Sequence, residues 1–179
     1  GMAVPAAQSF LTPLGAVAVD REAWLAASSL PGVIVDDQPH AEEHAIEVQL
    51  PFLQSTLDHF TILPIAVGDA DPAQVAAVLE ALWGGPETLI VISSDLSHYH
   101  PYRQAQFRDK ATIAQIRQLD ATLDGEQACG AGAINGLLLA AQRHHLTPHL
   151  LDLRNSGDTA GDRSRVVGYA SIAFSDDSN

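Results

Sequence analysis

Apolar residues in this chain recur alternately at the two-residue period of a strand and the 3.6-residue period of a helix, which leaves few folds open. Leu14 to Val19 reads as a short strand. Asp20 is placed to cap a helix over Arg21 to Ala27, with Glu22 in the first turn, where the helix dipole favours an acid. Ile46, Leu50, Leu53 and Leu57 recur at spacings of three and four, so Glu42 to Leu57 is expected as an amphipathic helix, despite Pro51 inside it. Phe60 to Val67 alternates as a strand. Asp71-Pro72 then opens a helix whose inner face is Val75, Val78, Leu79 and Leu82. Beyond Gly84-Gly85-Pro86, Thr88 to Ile92 is a continuous apolar run, the kind found in a parallel strand buried on both faces. Helices over Gln104 to Leu119 and Gly130 to Gln142, and strands over Leu150 to Leu153 and Val166 to Phe174, complete the pattern. Such alternation predicts an α/β fold, a layered α/β/α arrangement on a mixed or mostly parallel sheet. No repeat, low-complexity tract or linker interrupts residues 2–179, so a single domain is expected.

Composition narrows the function. Apolar residues make up 46% and charged residues 17%, so the chain can bury a core. Nine Lys and Arg against 22 Asp and Glu give a formal charge of −13, which repels phosphate backbones and anionic membranes. No nucleic-acid or membrane partner is expected. A single Cys fits a reducing, cytoplasmic setting. Gly1 ahead of Met2 reads as a scar of tag removal.

Four polar clusters stand out. Glu42-Glu43-His44 with Glu47 opens a helix; His44 and Glu47 are three apart and share a face, though an acidic first turn is also what the dipole favours. Ser93-Ser94-Asp95-Leu96-Ser97-His98-Tyr99-His100 follows the buried run Thr88 to Ile92. In open α/β sheets the crevice beyond a strand's carboxyl end is where ligands bind. There Asp95 can orient the His98 imidazole for acid–base chemistry; the plainer reading is a capping loop. Cys129-Gly130-Ala131-Gly132 puts a thiol at a helix N-terminus, where the dipole favours thiolate, against the alternative of an inert packed Cys. Asn155-Ser156-Gly157-Asp158 through Gly161-Asp162-Arg163-Ser164 is a binding loop or ordinary turn chemistry. No phosphate-binding glycine motif and no paired Cys for zinc occurs.

Taken together, Glu43-His44-Ala45-Ile46-Glu47-Val48-Gln49-Leu50-Pro51-Phe52, Ser93-Ser94-Asp95-Leu96-Ser97-His98-Tyr99, Cys129-Gly130, Ser156-Gly157-Asp158 and Val166-Val167-Gly168-Tyr169-Ala170 resemble the Memo-like family, in that family's order. The resemblance implies a fold like that of the class III extradiol dioxygenases, which use non-haem iron. It makes Cys129 a metal ligand, His98 and Asp95 catalytic residues of the same pocket, and Glu43, His44 and Ser94 part of the substrate pocket. The family's two further ligands are His residues in Pro-His-Ala-Gly and Gly-Pro-Ser-His motifs, neither of which this sequence contains. An N-terminally truncated domain lacking its first strands is therefore expected. With Cys129 as the one ligand supplied, the iron (or copper) that the resemblance implies is not expected to be held tightly by this chain alone.

Three functions stay open at this level: a metal-dependent, dioxygenase-like oxidoreductase whose site is incomplete here, a non-enzymatic binding or adaptor module for a small molecule or peptide, and a hydrolase with Cys129 as nucleophile and His98 as base. Five side chains, Glu43, His44, Asp95, His98 and Cys129, are expected on one pocket. Strand edges bared by truncation predict a homodimer or higher homo-oligomer.

Overall fold

The computed structural model describes residues 1–177, and the chain divides into two compact units, Gly1–Ser93 and Ser94–Asn179. Each is described by itself.

The first unit is built on β1 (Met2–Val4), three fully buried residues. β1 pairs in parallel with β4 (Val33–Val35) and antiparallel with β5 (Ala66–Val67), giving a mixed three-stranded sheet. A hairpin of β2 (Ser9–Thr12) and β3 (Gly15–Ala18) turns at Gly15, whose φ of +120° is open to glycine and strained for other residues. Helix α1 (Arg21–Ser28) starts where the sequence places it, because the Asp20 carboxylate accepts the Ala23 N–H at 2.9 Å. The Trp24 indole N–H donates to the Pro5 carbonyl at 2.7 Å, tying α1 to the end of β1. A short α2 (Gln38–Ala41) precedes α3 (Ala45–Thr56), and α4 (Pro72–Ala81) buries Val75, Val78 and Leu79 behind an Asp71 cap.

In the second unit, β6 (His98–His100), β8 (Val166–Ser175) and β7 (Thr147–Asn155) form an antiparallel sheet in the order β6-β8-β7. Helices α5 (Tyr102–Arg117) and α6 (Ala131–Arg143) supply the core with Ile113, Ile116, Ala131 and Leu138, against Leu96 and Leu123. Leu150, Leu153, Ala170 and Ile172 of the sheet pack on that cluster. Asn135 is buried within α6, and its side-chain amide spans the Leu123 backbone, accepting its N–H and donating to its carbonyl, both at 2.9 Å.

Among the described residues the architecture is thus α/β, with one mixed sheet, otherwise antiparallel strand pairs, and six α-helices, so the mostly parallel alternative does not hold. Several local expectations change. Thr88 to Ile92 forms no strand among the described residues: Leu89 and Val91 are exposed, and no neighbouring strand forms a ladder with them. Phe60 to Val67 contracts to Ala66–Val67 plus an isolated bridge from Ile62 to Val19. Helix α3 begins at Ala45 rather than Glu42, because the Glu43 carboxylate accepts the N–H groups of His44 and Ala45 and so caps the helix there. Among the described residues no helix is long and apolar enough to cross a membrane.

Candidate metal centre

The loop into β6 is held at three backbone points. Leu96 N–H donates to the Gly168 carbonyl and Gly168 N–H to the Ser97 carbonyl, each at 2.9 Å. Ser97 N–H donates to the buried Asp109 carboxylate of α5 at 3.1 Å. Tyr99, at φ +66°, is an extra residue between the pairs His98–Val167 and His100–Val166, a bulge that sets the direction of His98. The Arg165 guanidinium lies over the Tyr99 ring at 4.9 Å.

On the other side stands the start of α6. Its first amides have no side-chain cap of their own, but Gly130 N–H donates to Ser94 Oγ at 2.8 Å. That bond draws Cys129 to the loop. Its Sγ accepts the Asp95 N–H at 3.3 Å and lies 3.6 Å from Ser94 Oγ. Together, Asp95, His98 and Cys129 each offer a ligand atom, and the three atoms lie within 4.8 Å of one another. His98 Nε2 is 3.5 Å from the Asp95 carboxylate, an ion-pair distance without hydrogen-bond geometry. Although the His98 ring is partly exposed, Nε2 itself is buried and has no hydrogen-bond partner among the described residues. A buried, unpartnered acceptor facing a carboxylate and a thiol is what a bound cation would satisfy. Donors at ~2.0–2.3 Å from one metal would lie roughly 3.3–3.8 Å apart, a range that the 3.5 Å Asp95–His98 spacing fits.

One further side chain responds to the charge of Asp95, although no site role was expected of it. Tyr169 of β8 has its phenol held above its ordinary value, first by burial and then by the charge of Asp95. In the sequence it stands within Val166-Val167-Gly168-Tyr169-Ala170, one of the stretches that carry the family resemblance, with no site role of its own read there.

The residues expected on one pocket are thus distributed as follows. Asp95, His98, Cys129 and Ser94 come together in the second unit. Glu43 and His44 lie in the first unit, exposed at the start of α3. Glu43 borders a cleft of about 340 Å3 with Phe10, His40, Glu47, Leu50 and Pro51. His44 Nδ1 lies 2.9 Å from Glu47, and this bond, followed by the Glu47 charge, raises the imidazole above its usual value.

A family model described as "Memo-like protein" matches residues 1–173. Among similar proteins, a "MEMO1 family protein" of Sulfolobus acidocaldarius is 36% identical over 92% of this chain and 63% of its own length. One from Metallosphaera sedula is 34% identical over 92% of this chain and 64% of its own. Another from Archaeoglobus fulgidus is 36% identical over 97% of this chain and 72% of its own. The chain spans less than two thirds of the length of the first two of these relatives.

Proposed function

This chain belongs to the Memo-like family, and from that premise we propose that Asp95, His98 and Cys129 form a transition-metal centre serving dioxygenase-like oxidoreductase chemistry. The observation that carries the reading is the buried, unpartnered Nε2 of His98 beside a carboxylate and a thiol. Beside the sulfur of Cys129, the ligand that the family resemblance implies, a nitrogen and an oxygen donor within 4.8 Å support this reading.

The donor set is mixed: a hard carboxylate, a borderline imidazole and a soft thiolate. Such sets suit zinc, iron or copper better than magnesium or calcium, which prefer oxygen alone. Iron and copper are the metals the family resemblance favours. When bound, such a metal supplies Lewis-acid and electron-transfer chemistry at the open coordination positions. The protein's own part can be followed from its residues. The Asp95 N–H and the α6 N-terminus stabilise negative charge on Cys129 Sγ. The Tyr99 bulge and the Asp109–Ser97 bond fix the loop that carries His98. Burial and then the charge of Asp95 hold the Tyr169 phenol above its ordinary value.

The hydrolase alternative needs Cys129 and His98 in hydrogen-bond contact. Among the described residues, Sγ is bonded to Asp95 and approached by Ser94, and His98 Nε2 is bonded to nothing. The geometry favours the metal.

Cobalt(II) titration of the metal-free protein tests this reading. One equivalent is expected, with a thiolate-to-metal absorption band that disappears in Cys129→Ser and a stoichiometry that falls in His98→Ala. Sub-stoichiometric binding without that band would overturn it.

A further inference from the structure

We propose that Asp109 of α5 is a positioning residue of the metal centre: by its hydrogen bond to the Ser97 N–H it sets how tightly His98 holds a metal. The inference rests on the reading of Asp95, His98 and Cys129 as the ligands. A carboxylate is out of place where Asp109 stands. It is 2% exposed, on the face of α5 that buries Ala105, Thr112, Ile113 and Ile116, and among the described residues no cation pairs with it. Acids are almost never buried so fully without a partner. The partner here is a backbone amide, since Oδ1 accepts the Ser97 N–H at 3.1 Å.

That amide is buried too, and the strand beside it supplies no acceptor. Gly168 of β8 is bonded to the Leu96 N–H through its carbonyl and to the Ser97 carbonyl through its N–H, which leaves the Ser97 N–H over. Without the carboxylate a buried donor is stranded, and the loop relieves it only by moving toward water.

Movement of Ser97 reaches His98 directly, because it is the next residue. The imidazole has a ring contact with Tyr99, centroids 5.5 Å apart, but no hydrogen bond at Nε2, so the backbone decides where that nitrogen lies. Ligand distances at a metal hold to about 0.2 Å, which leaves little room for a shifted loop. Ligating histidines are commonly steered by a group outside the ligand set, and losing it costs about 10–100-fold in affinity. Asp109 does this one residue upstream, through the main chain. Its own place is fixed in turn, since α5 packs Ile113 and Ile116 against Leu96 of the same loop.

Cobalt(II) titration of variants of the full chain is the test, with circular dichroism to follow the fold. Asp109→Leu fills the space but accepts no hydrogen bond, and is expected to weaken binding about tenfold or more. Asp109→Asn keeps an oxygen for the Ser97 N–H and is expected to retain wild-type affinity. In a His98→Ala background, adding Asp109→Leu is expected to cost no further affinity, whereas a general loosening of the fold would lower it again. Gly168→Ala drives the same carboxylate off Ser97 from the side of β8 and is expected to weaken cobalt binding likewise, which decides the matter where the leucine variant does not fold. Unchanged affinity in folded Asp109→Leu or Gly168→Ala overturns the proposal and leaves the metal reading standing. A tenfold loss in Asp109→Asn, or a further loss in the His98→Ala background, overturns it too. Wild-type protein that takes up no cobalt overturns both.

Discussion

Asp109 occupies the space that any side chain on Gly168 would need: a Cβ on that glycine would collide with the Asp109 carboxylate. The contact explains a glycine near the start of β8, where φ places no demand on it. It also couples two elements around the loop bearing His98, since the same carboxylate accepts the Ser97 N–H. Gly168→Ala is expected to expel Asp109 and cost about 2–4 kcal/mol, from overpacking together with the lost buried bond. Urea unfolding gives the number. Combining it with Asp109→Ala should cost less than the sum of the two single changes, because the clash is removed; additive costs would show that the two residues are not coupled.

Asn135 makes a second such brace, with both of its bonds to Leu123 buried. Asn135→Ala is expected to destabilise by roughly 2–4 kcal/mol, and Asn135→Leu by a similar amount, because leucine restores volume but strands the Leu123 N–H and C=O. Recovery of stability in the leucine variant would mean that packing, not hydrogen bonding, dominates at this position.

His44 provides a pH prediction. Its imidazole is raised chiefly by the hydrogen bond to Glu47, then by that residue's charge, with Glu43 adding. A raised folded value means that the charged pair helps the fold below the unfolded value of about 6.5 and that this help is lost as pH climbs through the folded value. Both side chains are exposed, so the effect on stability is small and weakens with salt. NMR titration should put His44 above 6.5, and Glu47→Gln should bring it down. An unchanged midpoint in that variant would remove Glu47 as the cause.

Tyr169 reports on Asp95 in the same way. Burial comes first among the causes that raise its phenol, and Asp95 second. Asp95→Asn should therefore lower the Tyr169 midpoint in an ultraviolet titration without returning it to the ordinary value of about 10. A midpoint that does not move would separate the two residues and weaken the case for Tyr169 at the cluster.

Much of the fold was legible where local chemistry decides. Asp20 and Asp71-Pro72 announce helix starts, and the structure shows both carboxylates on their amides. β8 was equally plain, read to within one residue, whereas only Leu150 to Leu153 of the longer β7 was read as a strand. What could not be read depends on partners distant in sequence. Met2–Val4 becomes a buried central strand because Val33–Val35 and Ala66–Val67 flank it, and three residues carry no periodic signal of their own. Thr88 to Ile92 has the reverse character, since a strong intrinsic preference makes no strand without a ladder. At the site, the spacing of Asp95 and His98 and the place of Cys129 before a helix made them candidates beside plainer readings, and the family resemblance chose among these. Their meeting rests on Ser94 Oγ capping Gly130, a bond across 36 positions that no local pattern encodes.

The division into two compact units separates the tryptophans from the tyrosines completely. Both tryptophans, Trp24 and Trp83, fall in Gly1–Ser93, and all three tyrosines, Tyr99, Tyr102 and Tyr169, fall beyond it. Each unit therefore carries its own optical label without any engineering. Emission excited where tyrosine does not absorb follows the first unit alone, and tyrosine absorbance at high resolution follows the second. Superimposed denaturation curves from the two signals would mark a single cooperative transition, and separated curves would give each unit a melting point of its own.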